Sequence, residues 1–445
     1  MEKHHTVILG GGSAGLSLAY YLNKQNFPFT VYEKEPYIGG ICRTHQKGPF
    51  LYDTGAHRFH NKIPEITREI TALMGDDLTQ ITVPSKIVHQ GKMVHFPLRP
   101  LDLVKALGPA EFLKAIYDVI YSRISFRHYR GDTFYDMAVH TYGKTLAEHF
   151  LLSYTEKLWG SSCDRLSPQV SGKRLKGLNI RTFLLESFFR SQTARHIDGS
   201  FFYPKKGFGQ IIEKMTDQCG RSNIHTRSEV TSIIHDNKNI RFVEINGKSR
   251  IPADQFVSSL PLPSLVHMMN PPVPEKIRKL ADDLHFRSLI LVVLFLDLPA
   301  ATPFGSLYFP DPDVMFTRIS EPKNRSPEMA PENQTALMVE IPCTPLDTIC
   351  QLKDSEIIEN TLKQLQPVCF INDKQIMETR VHRIPRAYPI LETTSIGKVN
   401  ALMQYFKLFD NLIITGRNGL FSYIHFHDIM AMAKTMADRL SEFNK

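Results

Sequence analysis

The chain has 445 residues, 42% apolar and 22% charged, with 53 Lys and Arg against 45 Asp and Glu, a formal charge of +8. This is ordinary globular composition and excludes a mainly disordered or collagen-like protein. The length exceeds what one hydrophobic core usually organises, so two or three domains are expected.

In chain order, Thr6-Val7-Ile8-Leu9 reads as a buried parallel strand, with no signal-peptide apolar region before it. Gly10-Gly11-Gly12-Ser13-Ala14-Gly15 follows and opens a helical pattern from Leu16 to Asn23. In this G-x-G-x-x-G arrangement Gly10 allows the tight turn, Gly12 lets backbone approach a pyrophosphate, and Gly15 lets helix and strand pack closely. The helix N-terminus, with Ser13 and Ala14, then offers free N–H groups to phosphate. Phe29-Thr30-Val31-Tyr32 is the next strand and ends at Glu33, where a ribose hydroxyl acceptor belongs. The purely structural alternative is a glycine turn without a ligand.

Further along, Leu101–Ala106, Ala110–Arg123 and Leu146–Trp159 carry apolar residues at helical spacing. Phe112, Ile116, Tyr117, Val119 and Ile120, with Arg123, Arg127 and Arg130 beyond, fit a helix packed in a second domain better than one lying on an anionic membrane. Asn223–His235 reads as a strand paired with Ile240–Ile245, and Gln255–Pro261 as a strand returning to the nucleotide domain. The longest apolar run, Leu289–Leu296, suits a buried strand and is too short to span a bilayer. Asn411–Arg417 is a strand entering a glycine turn, followed by an amphipathic helix from about Ala431 to Phe443. The six cysteines show no zinc spacing and read as reduced thiols of a cytosolic protein. His57 and His60 form H-x-x-H without a zincin glutamate, so no metal is expected. No basic run with interleaved aromatics points to nucleic acid.

Beyond the fingerprint, Lys34–Thr44 contains a second glycine pair, Gly39-Gly40, ahead of Ile41, Cys42 and Thr44. It resembles the G-G-x-x-x-T segment of FAD-binding flavoproteins, and Asp53–His60 resembles the segment that passes their isoalloxazine ring. Tyr154–Gly160, with Trp159, is similar to a Y-T-x-K-x-W-G segment of UDP-galactopyranose mutases. Phe202–Gly209 resembles a turn shared by mutases, phytoene desaturases and protoporphyrinogen oxidases. Leu284–Leu289, with Arg287, and Arg386-Ala387-Tyr388-Pro389 resemble further segments of the group. The chain thus resembles the flavin amine oxidase, protoporphyrinogen oxidase and UDP-galactopyranose mutase superfamily over nearly its whole length.

The resemblance implies an α/β fold, with a doubly wound, Rossmann-type FAD-binding domain in three stretches (1–98, 205–270, 396–445). An α+β substrate domain is interleaved at 99–204 and 271–395. It implies FAD contacts at Glu33, Lys34, Gly40, Ile41, Cys42, Thr44, His57, Val230, Gly416, Arg417, Tyr423, Asp428, Ile429 and Met430. His57, Arg58, Trp159, Arg287, Arg386 and Tyr388 are the candidate catalytic residues. Two activities remain open. One is oxidation of a small, anionic substrate by hydride transfer to flavin N5. The other is a mutase-like, non-redox isomerisation in which reduced FAD is the nucleophile on a nucleotide sugar. For the second, Arg181, Arg190, Arg287, Arg318 and Arg386 are available to clamp a diphosphate. A structural FAD in a non-enzyme is the remaining alternative.

Overall fold

The computed structural model describes residues 4–96, 98, 100–125, 131–171, 200–366, 368 and 371–442. Arg127, Arg130, Arg181 and Arg190 lie outside the described residues.

Five short strands form a parallel sheet in the order Leu412–Ile414, Gln255–Ser258, Thr6–Leu9, Phe29–Tyr32 and Ile224–His225. Thr6–Leu9 lies in the middle and is buried on both faces. Side chains alternate along a strand, so Val7 and Leu9 enter one hydrophobic core while Ile8 enters the other. On the Ile8 face the helices Ser13–Lys24 and Phe426–Glu442 pack against each other, so the beginning and end of the chain share one core. The C-terminal helix begins five residues earlier than its expected start near Ala431, because Phe426 and Met430 are themselves core residues.

A seven-stranded sheet runs in the order Ile376–Pro389, Phe286–Leu296, Thr335–Cys343, Arg318–Ser320, Ser306–Tyr308, Ser85–His89 and Lys92–Phe96. Ser85–Phe96 falls inside the expected first FAD-binding stretch, yet Ser85–His89 pairs with Ser306–Tyr308. A smaller sheet pairs Val230–His235 with Ile240–Ile245. Only that part of the expected Asn223–His235 strand belongs there, since Ile224–His225 is the edge of the parallel sheet. Helices Pro100–Leu107, Pro109–Ser125 and Phe134–Tyr142 precede Lys144–Trp159, which is helical throughout with a π turn at Glu148–Leu152. On Pro109–Ser125, Ala115 and Val119 are buried, whereas Leu113, Tyr117, Ile120 and Tyr121 are exposed. Among the described residues no helix is long and apolar enough to cross a membrane.

The expectation of six reduced thiols is corrected: Cys343 and Cys350 form a disulfide. The turn after the Thr335–Cys343 strand brings their Cα atoms to 6.0 Å, a separation that C-x6-C spacing does not reveal by itself.

Candidate active site

The two glycine segments lie side by side. Gly10 has φ +103°, and its N–H donates to the Tyr32 carbonyl at 2.8 Å. A β-carbon on Gly15 would lie 2.0 Å from the Gly10 carbonyl oxygen, so the helix can approach the strand this closely only as glycine. Gly12 differs: nothing lies within 4 Å of where its β-carbon would be. The Gly39 N–H donates to the Gly11 carbonyl at 2.8 Å, and the β-carbon position of Gly40 lies 3.4 Å from Gly12 Cα. Two stretches of bare backbone therefore border an open space at the N-terminus of Ser13–Lys24, whose first-turn N–H groups have no intrahelical partner.

Glu33 is fixed by this turn. Its Oε2 accepts the Gly11 N–H at 2.7 Å and its Oε1 the Glu35 N–H at 2.9 Å. The N–H groups of Ser228 and Arg227 donate to the carbonyls of Glu33 and Glu35, which brings the segment leading to Val230 beside the acid. Val230 itself is buried and Lys34 is exposed, 3.5 Å from Glu35.

Asp53 is the hub behind the second glycine pair. Fully buried, it accepts hydrogen bonds from the Thr44 hydroxyl (2.6 Å), the Tyr203 hydroxyl (2.6 Å) and the Phe208 N–H (2.9 Å). Thr44 Oγ1 also accepts the Gly209 N–H at 2.8 Å. Burial raises the Asp53 carboxyl above its ordinary range, and these donors together with Arg325 pull it back. Just beyond, the Ala56 N–H donates to Glu340 Oε1 at 3.0 Å. His57 Nε2 lies 2.6 Å from the Ile41 carbonyl, which can only accept, so Nε2 carries the proton. Burial, then Arg417, holds His57 down at about 3, a neutral imidazole near pH 7. Burial likewise pushes the Cys42 thiol up to about 11.

The C-terminal turn closes the site. Gly416 has φ +79°, and a β-carbon there would sit 2.9 Å from Ala14 Cβ. Arg417 donates to the Ile424 carbonyl from Nε at 3.3 Å and Nη2 at 3.0 Å, and its guanidinium stands 5.2 Å from the Tyr423 ring and 6.0 Å from that of Tyr388. Trp159, 3% exposed, meets Tyr423 edge-on at 5.1 Å and Tyr388 at 5.8 Å. Burial and the nearby Glu340 carboxylate push the Tyr388 hydroxyl up to about 12. In the helix that follows, Asp428 accepts the His425 N–H at 3.3 Å at the first turn, while Ile429 is buried and Met430 packs into the core.

A glycine-bordered groove, an acid at the end of the second strand and the loop that carries His57 converge beside the Gly416 turn. Residues 13–395 match the family described as flavin containing amine oxidoreductase. The chain belongs to that family. It is a flavoenzyme that uses FAD. The coproporphyrinogen III oxidase of Bacillus subtilis is 21% identical over 441 residues, covering 87% of this chain and 88% of that protein. The crystal structure of reduced UDP-galactopyranose mutase superposes with a TM-score of 0.84 at 18% identity, covering 99% of this chain and 96% of that one. Cyclohexylamine oxidase from Brevibacterium oxydans superposes with a TM-score of 0.71 at 14% identity, covering all of both chains. At these identities the two structures establish a shared fold.

The flavoenzyme's chain fits FAD where the open space over Gly12 and Gly40 admits a pyrophosphate that any side chain there would obstruct. Three of the expected catalytic residues are held by partners within the protein. Buried Arg287 is held by Asp347 (2.7 Å) and the carbonyls of Lys157 (3.0 Å) and Pro342 (3.1 Å), an internal tie rather than a group facing the groove. Arg386 is exposed, with φ +55°, and contributes its carbonyl, which accepts from Asn418 Nδ2. Arg58 turns to the seven-stranded sheet and donates to Ser306 Oγ at 3.1 Å. Asp53 and Glu340 are site residues that the sequence does not single out, and it offers Arg318 only as a candidate diphosphate clamp. The available signal at Glu340 is a lone acid in the otherwise apolar run Leu337–Pro342.

Proposed function

We propose that the enzyme oxidises a small anionic substrate by hydride transfer to flavin N5. The observation that carries this reading is Arg417. Among the described residues no carboxylate stands within ion-pair distance of it, whereas the nearby Arg318 is neutralised by Glu340. A cation whose charge is balanced only by a carbonyl and two tyrosine rings favours an anion beside it and disfavours a substrate ammonium. Bound FAD supplies the hydride acceptor and, once reduced, an anionic ring edge that Arg417 can stabilise.

The chain's own residues supply the remainder. Gly12, Ser13, Ala14 and Gly40 present backbone to the pyrophosphate. Glu33 keeps a lone pair on each oxygen for a ribose hydroxyl. Val230 offers backbone to the adenine, and the N-terminus of Phe426–Glu442, at Asp428, faces the flavin, whereas the Ile429 N–H is bonded to the His425 carbonyl. His57, whose Nε2–H is committed to the Ile41 carbonyl, orients a partner through Nδ1 as an acceptor. Trp159, Tyr388 and Tyr423 exclude water from one wall.

A second reading, mutase-like isomerisation of a nucleotide sugar, is favoured by the Gly416-Arg417 turn set against the same tyrosines and by the likeness to reduced UDP-galactopyranose mutase. The deciding experiment mixes flavin-loaded enzyme anaerobically with porphyrinogen carboxylates and UDP-sugars. Bleaching of the flavin band by an anionic compound supports oxidation. Binding or turnover of a UDP-sugar only after dithionite reduction supports the isomerase instead. Purified protein that takes up no FAD would sink both.

A further inference from the structure

A second set of titratable groups lies away from the flavin groove, at the end of the Ser85–His89 strand. His89 is buried, and its Nδ1 stands 2.5 Å from Asp311 Oδ1. The other carboxylate oxygen of Asp311 accepts the Gln90 N–H at 2.7 Å. On the far side of the same ring, His89 Nε2 faces His149 Nδ1 at 3.1 Å. His149 sits in the π turn of the helical stretch that ends at Trp159. Lys157, on that stretch, donates to the carbonyls of Asp311 (2.8 Å) and Val314 (2.9 Å), and its own carbonyl accepts from Arg287. One loop, Asp311–Val314, thus grips the helix at His149 through His89 and again at Lys157, two residues before Trp159.

Hydrogen-bond arithmetic gives this grip a proton limit. Asp311 accepts, so His89 Nδ1 carries a hydrogen, and between His89 Nε2 and His149 Nδ1 there is room for one proton. With both rings neutral, His149 donates and His89 accepts. With one added proton, a cationic His89 donates to His149. With a second, N–H opposes N–H and the contact breaks. We propose that Asp311, His89 and His149 form a proton-limited latch that positions the Trp159-bearing helix, closed with up to one added proton and open with two. The groups facing it are Glu111, Glu148 and Lys114 around His149, and Lys157 and Asp313 around the Asp311 loop. Burial, then His89, lowers the His149 pKa, so the latch is closed near neutrality and opens as pH falls. Asp311, His89 and His149 are positioning residues. Their consequence for catalysis rests on the proposed role of the Trp159 wall, although the latch itself needs no substrate.

The chain has a single tryptophan, which makes Trp159 its own reporter. In flavin-loaded protein carrying 5-fluorotryptophan, the one 19F resonance should hold its position near neutrality and move through one transition as the pH falls below the ordinary histidine range. His149→Gln, which keeps an amide hydrogen-bonding group but does not titrate, should hold the neutral-pH position throughout. Long-range 1H–15N spectra of the wild-type His89 and His149 rings cover the case in which the variant does not fold, and should show the second protonation coinciding with the 19F shift. A resonance that never moves, a transition unchanged in His149→Gln, or one unconnected with these rings would overturn the latch. Flavin absorbance read in the same samples keeps the tests apart: loss of FAD with an intact 19F transition counts against the proposed function and leaves the latch standing.

Discussion

Arg318 and Glu340 are directly opposite each other on neighbouring strands, and the carboxylate that neutralises the guanidinium also receives the N–H of Ala56. One acid from an interior strand of the seven-stranded sheet therefore carries both a buried cation and the loop that presents His57. Removing one member of such a pair leaves the other charge buried and unpaired, which costs about 3–5 kcal/mol. Glu340→Gln should lower the unfolding free energy of the apoprotein by that order in denaturant titrations. The double change Arg318→Met with Glu340→Met should cost less than the sum of the single changes.

The glycines of the first turn separate folding from cofactor binding. Gly12→Val places its side chain in open space and should leave the apoprotein's melting temperature nearly unchanged while abolishing FAD retention. Gly15→Ala drives a β-carbon into the Gly10 carbonyl and should cost about 3 kcal/mol or more, lowering stability and flavin content together. Calorimetry and the flavin-to-protein absorbance ratio check both. Flavin retained by Gly12→Val would refute the pyrophosphate assignment.

His57 sets a pH dependence of stability. Its folded-state pKa, near 3, lies below the ordinary value of about 6.5, so below that value the unfolded chain binds a proton that the folded chain refuses. Stability should be fully present above about pH 6.5 and decline toward about pH 3, by at most about 1.4 kcal/mol per pH unit for this group. His57→Gln should flatten the slope by up to one proton, measured as apoprotein denaturation midpoints against pH.

Arg417→Met should leave FAD bound, because the proposed pyrophosphate contacts lie elsewhere. Without the cation the anionic reduced flavin is less favoured, so the two-electron potential should fall by about 30 mV or more, equivalent to about 1.4 kcal/mol. Equilibration against reference dyes measures it. An unchanged potential would place Arg417 away from the ring.

What could be read from the sequence was local. Gly10, Gly12, Gly15 and Glu33 lie within one strand–turn–helix–strand unit, so their spacing alone predicts the turn that the structure contains. Arg287 and Glu340 show the opposite. Whether a buried charge faces a ligand or an internal partner depends on strand register and on the fold of a distant turn, here the one placing Asp347 beside Arg287. The same holds for His89 and Asp311, 222 residues apart. Cys343 and Cys350 are close in sequence, but only the conformation of the intervening turn brings them together.

The parallel sheet draws its strands from both ends and the middle of the chain, and the last to arrive, Leu412–Ile414, sets Gly416 against Ala14. The consequence is one of timing. Until residues 412–416 have been made, the first turn has no opposite wall, and the strand Gln255–Ser258 presents an unpaired edge. Flavin uptake thus reports on whether residues 412–416 have joined the sheet. A chain truncated before residue 412 loses its cofactor site although every residue of the dinucleotide fingerprint is present.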